Sequence, residues 1–422
     1  MKNRLQATIG LPQAVALYIG AVLGSGILLI PGMAAEMAGP ASLLAWSGMM
    51  VLVLPMALSM GILSARFPNA GGVSHFVTEA FGEKWGALVG WFFFMSVQVG
   101  APVVALTGGG YFCAALGWDG SYKIGVAVGI LIICLMTNLL GMKVAGSLQI
   151  VMMIAIITVL ILGIAGAVPN IEAEHFTPFI PGGWFSVVQA ATLLFWCFIG
   201  WEAISHLSEE FVNPQREAIK GITIAAIIIG ILYVLTAVAV IGTHSYGDGQ
   251  SSAPFVYIVE KVFGKKGAFV TGMIGFLTCT ASQISYIGAT SRVAYSLAIK
   301  EQAPKHFAIT SKKTGTPIGS LVFLAGGFTI VLILYSMDIV TLSTLLQIPN
   351  ASFILTYICG CAAGVRLLKG NKWGTRFSYL SLIITSVLFP FTRWSILYPL
   401  LITCLVFAYL KLKHTKGNEI PM

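Results

Sequence analysis

The chain has 422 residues, of which 57% are hydrophobic and only 9% charged, and its net charge is +9. A soluble domain carries roughly 25% charged residues, so this composition excludes a soluble enzyme, a disordered chain and a peripheral protein. It fits a polytopic membrane protein whose surface faces hydrocarbon.

Long unbroken apolar runs, rather than alternating strands of about ten residues, point to an all-α protein and not a β-barrel. At roughly 20 residues per crossing, twelve transmembrane helices are predicted. They cover residues 11–35, 41–65, 86–112, 122–140, 145–168, 184–208, 218–241, 267–298, 317–335, 340–367, 375–391 and 394–411. The connections are short and carry breakers such as Gly39-Pro40, Pro68 to Gly72, Pro181-Gly182-Gly183 and Asn213-Pro214. The longest, 242–266, holds an amphipathic stretch from Pro254 to Phe263. This leaves one transmembrane domain, 1–422, with no room for a soluble one. The first apolar run is too long for a signal peptide and is read as retained.

The basic excess belongs to loops between spans, so no nucleic-acid partner is expected. With the N-terminus inside, nineteen of the 24 Lys and Arg residues, Arg292 among them, fall on the cytoplasmic side. The positive-inside rule then puts both termini in the cytoplasm. His75 and His206 fall near cytoplasmic ends and are read as solvated. The seven cysteines lie almost entirely in apolar runs without ligand spacing, so they read as reduced, small apolar residues. No metal and no other cofactor is expected.

Two spans are interrupted by similar chemistry. Span 1 reads Gly20-Ala21-Val22-Leu23-Gly24-Ser25-Gly26-Ile27, with Pro31-Gly32 beyond it. Span 6 reads Phe195-Trp196-Cys197-Phe198-Ile199-Gly200-Trp201-Glu202. The two are five spans apart, an odd number, so two five-helix units would have opposite topology. Matching interruptions in inverted repeats point to a transporter site.

Unwinding a helix in mid-membrane strands backbone groups, at several kcal/mol each unless something binds them. A substrate can do so. The half-helix after Gly24 offers N–H groups and a positive dipole end to a carboxylate. Gly24 and Gly26 allow close approach and Ser25 adds a hydroxyl. The freed carbonyls of span 6 can accept from an ammonium group. One unwound pair thus holds both ends of a zwitterionic amino acid. On span 1 alone, Gly24 and Gly26 read equally well as close-packing glycines; the matching break in span 6 favours the site. A dinucleotide fingerprint is excluded, because position 29 is Leu and no strand precedes it.

On these residues the chain resembles the amino acid–polyamine–organocation (APC) family. The span-1 run Gly24-Ser25-Gly26-Ile27, the loop Phe67 to Gly72, and Phe195 to Ala203 continuing through Glu209-Glu210 and Asn213 to Arg216 carry the likeness, which covers nearly the whole chain. Gly71 to Val77 and Phe195 to Phe198 are similar to bacterial exporters of methionine and branched-chain amino acids. The resemblance implies a LeuT-like fold of 5+5 inverted repeats, 11–168 and 184–367, plus two C-terminal helices, 375–411, with helices 1 and 6 broken. It implies alternating access in a bacterial inner membrane. It also implies that Gly24, Ser25, Gly26 and Ile27 meet the substrate carboxylate. Trp196, Cys197, Phe198, Ile199 and Gly200 would meet the ammonium group and side chain. Gln98 to Pro102, Ser282 to Ile287 and the region of Asn350 would line the rest.

Several residues carry two readings. Glu202 is the one acid placed within the hydrocarbon, where it costs roughly 2.5–3.5 kcal/mol. It reads as a proton carrier coupling export to proton entry, or as a hydrogen-bond partner holding the broken helices. Trp196 reads as a gate or as a packing aromatic, and Cys197 as a small pocket wall. Asn350, after Pro349, shapes the pocket or satisfies backbone freed by the proline. Gly108-Gly109-Gly110 reads as close helix packing. Span 5 has no charged residue, and the hydroxyls of Thr278, Thr280, Ser282 and Ser285 are the sodium-ligating alternative to proton coupling.

The expected function is secondary transport, as proton-coupled antiport, of neutral apolar amino acids: methionine, leucine, isoleucine and valine. The rivals are an importer or exchanger of other amino acids or amines, and more remotely a membrane-embedded enzyme or a channel. The spans offer no cluster of catalytic groups.

Overall fold

The computed structural model describes residues 5–24, 26–247, 258–259, 264 and 266–417, without the side chains at 29, 192, 196, 268, 343, 346, 388, 391, 393 and 414–416. Ser25, the Trp196 side chain and all but residues 258–259 of the 254–263 stretch lie outside that description. Helices make up most of the described residues. Their only β-pairing is two isolated bridges, Ile9 with Phe211 and Thr310 with Pro317.

In chain order the α-helices are α1 (Leu11–Leu23), α2 (Gly26–Ala38), α3 (Ser42–Arg66), α4 (Val73–Phe81), α5 (Glu83–Leu116), α6 (Lys123–Leu139), α7 (Met142–Ala167) and α8 (Gly183–Leu194). There follow α9 (Pro214–Gly242), α10 (Lys266–Ile299), α11 (Ile318–Ser336), α12 (Leu342–Gln347), α13 (Asn350–Leu367), α14 (Lys372–Leu388) and α15 (Leu397–Gly417). Eight helices among the described residues are long and apolar enough to cross a membrane.

Local chemistry sets the helix ends. α9 starts at 214 rather than 218 because Asn213 caps it: its side chain accepts from the Arg216 N–H at 3.2 Å, and the Glu217 carboxylate reaches back to the Asn213 N–H. Pro214 takes the first turn, where its missing N–H costs nothing. α14 likewise starts at 372 rather than 375, behind an Asn371 cap that accepts from the Gly374 N–H at 3.0 Å. The run expected as one helix over 340–367 is two, α12 and α13, parted at Ile348-Pro349, since proline cannot donate to the helical ladder.

The outer surface is apolar as well as the core. α7 turns Val151, Ile154 and Ile161 outward, each at least half exposed, as a lipid-facing helix must. α1 lies inside, against α7, α9 and α10, and ten of its thirteen residues are buried. α5 and α10, each 34 residues long, pack along one another across the centre. α1, α5 and α10 thus surround the point where the chain stops being helical.

Candidate functional site

The first break falls between α1 and α2. Gly24 sits at φ +41°, ψ −156°, a left-handed-side conformation that excludes side chains with a Cβ, and it ends α1. A Cβ on Gly24 would have no heavy atom nearer than 3.9 Å, so the space beside it is open. The second break follows α8. Phe195–Phe198 forms a 3₁₀ turn, Ile199 is extended and Gly200 has φ +135°, before a second 3₁₀ segment runs over Ala203–Glu210. A Cβ on Gly200 would lie 3.0 Å from the Ala21 carbonyl, so glycine is what lets the two breaks touch.

A cavity of about 70 Å³ lies at this junction. One water needs roughly 10–15 Å³, so the cavity holds several, or a polar head group. Gly24, Gly26, Cys197 and Ile199 line it, together with Ala21 to Leu23 of α1, Val97, Gly100 and Ala101 of α5, Ser282, Gln283 and Tyr286 of α10, Leu345 of α12 and Phe353 of α13. No charged side chain lines it among the described residues. Its polar groups are the Ser282 and Tyr286 hydroxyls and the Gln283 amide, whose Oε1 is buried without a hydrogen-bond partner. Such an orphan costs about 1–3 kcal/mol, which a bound donor recovers. α2 begins at Gly26, which lines the cavity, so an N–H with no partner inside the helix stands at the cavity wall.

The remaining sequence-expected residues take other places. Ile27 and Phe198 are fully buried but do not line the cavity; Phe198 packs on Trp46 and Tyr233, with ring centroids at 6.1 and 5.2 Å. Gly200 lies behind the cavity, against Ala21. Asn350 opens α13 outside the lining, with its Oδ1 buried and unpaired, while its neighbour Pro349 is part of the wall. Gly26 also serves packing, since a Cβ there would come within 2.7 Å of the Cys197 sulfur.

The protein itself satisfies much of the backbone that the breaks release. The Tyr233 hydroxyl of α9 sits between two freed carbonyls, at 3.1 Å from Val22 O and 2.8 Å from Cys197 O. The Gly200 N–H donates to Glu202 Oε2 at 3.0 Å and reaches the Tyr357 hydroxyl of α13 at 3.1 Å. Glu202 is fully buried and also accepts from Tyr357, and from Tyr286 at 3.4 Å. It therefore ties the second break to α10 and α13, and through Tyr286 it touches the cavity wall. Sequence reading missed Tyr233 and Tyr357, whereas Gln283 falls in the Ser282 to Ile287 stretch expected to line the site. A hydroxyl or amide in a buried helix signals a polar job, but nothing in the spacing says with which partner.

Other charged groups are more deeply placed than the sequence suggests. Arg292, counted with the loop cations, is fully buried and pairs with buried Glu210 at 2.6 Å. Glu202 is therefore not the only buried acid. His206, read as solvated, is fully buried and packs at a tilt against Phe93, at 4.3 Å between centroids. The Ala203–Glu210 3₁₀ segment lies inside, with seven of its eight residues buried.

Residues 9–414 match the family model described as Amino acid permease. The chain is 33% identical to an uncharacterized amino acid permease of Bacillus subtilis (strain 168), over 99% of this chain and 98% of that protein. It is 30% identical to an L-methionine/branched-chain amino acid exporter of Escherichia coli (strain K12), over 99% of each. A branched-chain amino acid permease of Bacillus subtilis is 26% identical over 75% of this chain and 72% of its own length. The chain belongs to the amino acid permease family, within the APC group.

Proposed function

We propose that this amino acid permease carries neutral apolar amino acids (methionine, leucine, isoleucine and valine) across the bacterial inner membrane by alternating access. The observation that carries the reading is the cavity at the meeting of two helix breaks, walled by apolar side chains and free of charge among the described residues. The Gly26 N–H at the start of α2 suits the carboxylate, the Gln283 Oε1 suits the ammonium group, and Ile199, Val97 and Phe353 suit the side chain. Each methylene buried there contributes about 0.8 kcal/mol, enough to rank leucine above alanine. Among the described residues no acid lines the wall to favour a cationic side chain.

In the proposed arrangement twelve spans form two inverted five-helix repeats and two further helices, with both termini cytoplasmic. The carboxylate subsite is Gly24 to Ile27, and the other end of the substrate meets Trp196 to Gly200 and the region of Asn350, with Trp196 as gate. Transport is efflux driven by proton entry, and Glu202 holds the proton. The exporter relative supports the direction and substrate class. The Tyr286 link between cavity and Glu202 supports the coupling.

The test is transport in proteoliposomes with imposed proton or sodium gradients. Saturable movement of methionine and leucine, driven by a proton gradient and not by sodium, is expected. Movement of lysine or glutamate with neither of these would overturn the substrate assignment. Linear, non-saturating flux would point to a channel.

A further inference from the structure

Away from the cavity, the outer face of α14 carries a pattern that transport does not use. Gly374, Ser378, Ser381 and Thr385 are buried toward the bundle, where Ser378 Oγ meets Ser59 Oγ of α3 at 2.7 Å. The opposite face is exposed along its length: Lys372, Arg376, Tyr379, Leu380, Ile383 and Val387 recur at helical spacing on one stripe. Cations occupy one end of the stripe and apolar side chains the other. Lys369 joins the cationic end, and there the side chains border a surface groove of about 520 Å³.

Three features make this end a receptor for negative charge. Lys369, Lys372 and Arg376 form no ion pair among the described residues; Arg376 lies over the Trp373 ring at 5.6 Å. The sequence holds no Asp or Glu between Asp338 and Glu419, so no neighbour along the chain neutralises them. The apolar stripe then runs from Arg376 to Val387, about 16 Å at 1.5 Å per residue, close to half of a roughly 30 Å hydrocarbon core.

We infer that this face of α14 binds one anionic phospholipid, its phosphate held by Lys369, Lys372 and Arg376 and an acyl chain lying along Leu380 and Ile383. A free phosphate fits the cations but leaves the apolar stripe unused, and a zwitterionic lipid gains little from three unpaired cations. Basic pockets beside membrane helices suit anionic head groups for this reason. The inference rests on α14 lying in the bilayer, as the proposed twelve-span arrangement has it.

A fluorophore on Ile383→Cys, with Cys404→Ser, reports both points in phosphatidylcholine vesicles. These contain an equal minority fraction of brominated phosphatidylglycerol or brominated phosphatidylcholine. The expected result is quenching by both lipids, with an apparent preference for phosphatidylglycerol of about fivefold or more, given three cations near the membrane surface. The preference should vanish in K369Q/K372Q/R376Q, persist in K312Q/K313Q and survive millimolar inorganic phosphate. Equal quenching by both lipids keeps α14 in the bilayer and overturns the lipid site. Quenching by neither removes α14 from the bilayer. Loss of the preference in K312Q/K313Q would mean general surface charge, and loss in phosphate would mean a phosphate site; either overturns the inference.

Discussion

Arg292→Met is expected to destabilise the folded protein by about 3–5 kcal/mol, the cost of leaving one member of a buried ion pair alone. The Arg292 Nε donates to Glu210 Oε1 at 2.6 Å, with side chains 1% and 3% exposed. One Nη also donates to Ser291 Oγ at 2.8 Å. The pair fastens the Ala203–Glu210 segment to α10, and the Glu210 carbonyl in turn accepts from the Thr8 and Ile9 N–H groups, both at 2.9 Å. One salt bridge therefore secures the N-terminal segment, the continuation of the second break, and α10. The double variant E210M/R292M should recover much of the loss, because two apolar side chains leave no bare charge behind. Denaturant unfolding of detergent-solubilised protein, followed by fluorescence, measures both. A double variant as unstable as the sum of the singles would contradict the ion-pair account.

Glu202→Gln is expected to stop proton-coupled transport while sparing the fold and leucine binding. The amide oxygen still accepts from the Gly200 N–H and the Tyr357 hydroxyl, so the second break stays clasped. What the amide cannot do is take up and release a proton. Glu202→Ala should differ, because it takes the acceptor from the Tyr357 and Tyr286 hydroxyls in the interior, at about 1–3 kcal/mol for each one left unpaired, and leaves the Gly200 N–H only the Tyr357 oxygen. Proton flux and substrate binding, measured side by side in proteoliposomes, separate the two roles. Undiminished proton flux in the Gln variant would leave Glu202 as a clasp alone.

The two breaks were legible because glycine and backbone chemistry act locally. Gly24 and Gly200 both take positive φ, and each ends regular structure where the sequence suggests. Pro349 stood in plain view, yet its effect on the 340–367 run depends on what surrounds it. The long-range hydrogen bonds were not legible. Tyr233 reaches Val22 and Cys197 across 211 and 36 residues, and Tyr357 reaches Glu202 across 155. No periodicity encodes such meetings. Sequence reading overlooked both tyrosines, and Tyr233 occupies the Cys197 carbonyl, one of the span-6 carbonyls assigned to the ammonium group. Arg292 shows the same limit, since a cation near a helix end looks alike in sequence whether it faces lipid head groups or a buried carboxylate.

The central claim is that an amino acid sits in the cavity between the breaks, and Gly100 offers the most direct access to it. A Cβ there would meet nothing nearer than Pro349 Cγ at 4.0 Å, and Gly100 lies on α5, away from both breaks. Gly100→Phe therefore fills the cavity without straining either one. Equilibrium binding of radiolabelled leucine to the wild type and to a folded Gly100→Phe variant decides the matter. Loss of binding by at least about a hundredfold, the reach of about 3 kcal/mol, is the predicted result. Leucine bound as tightly by the filled variant would place the substrate elsewhere and contradict the account.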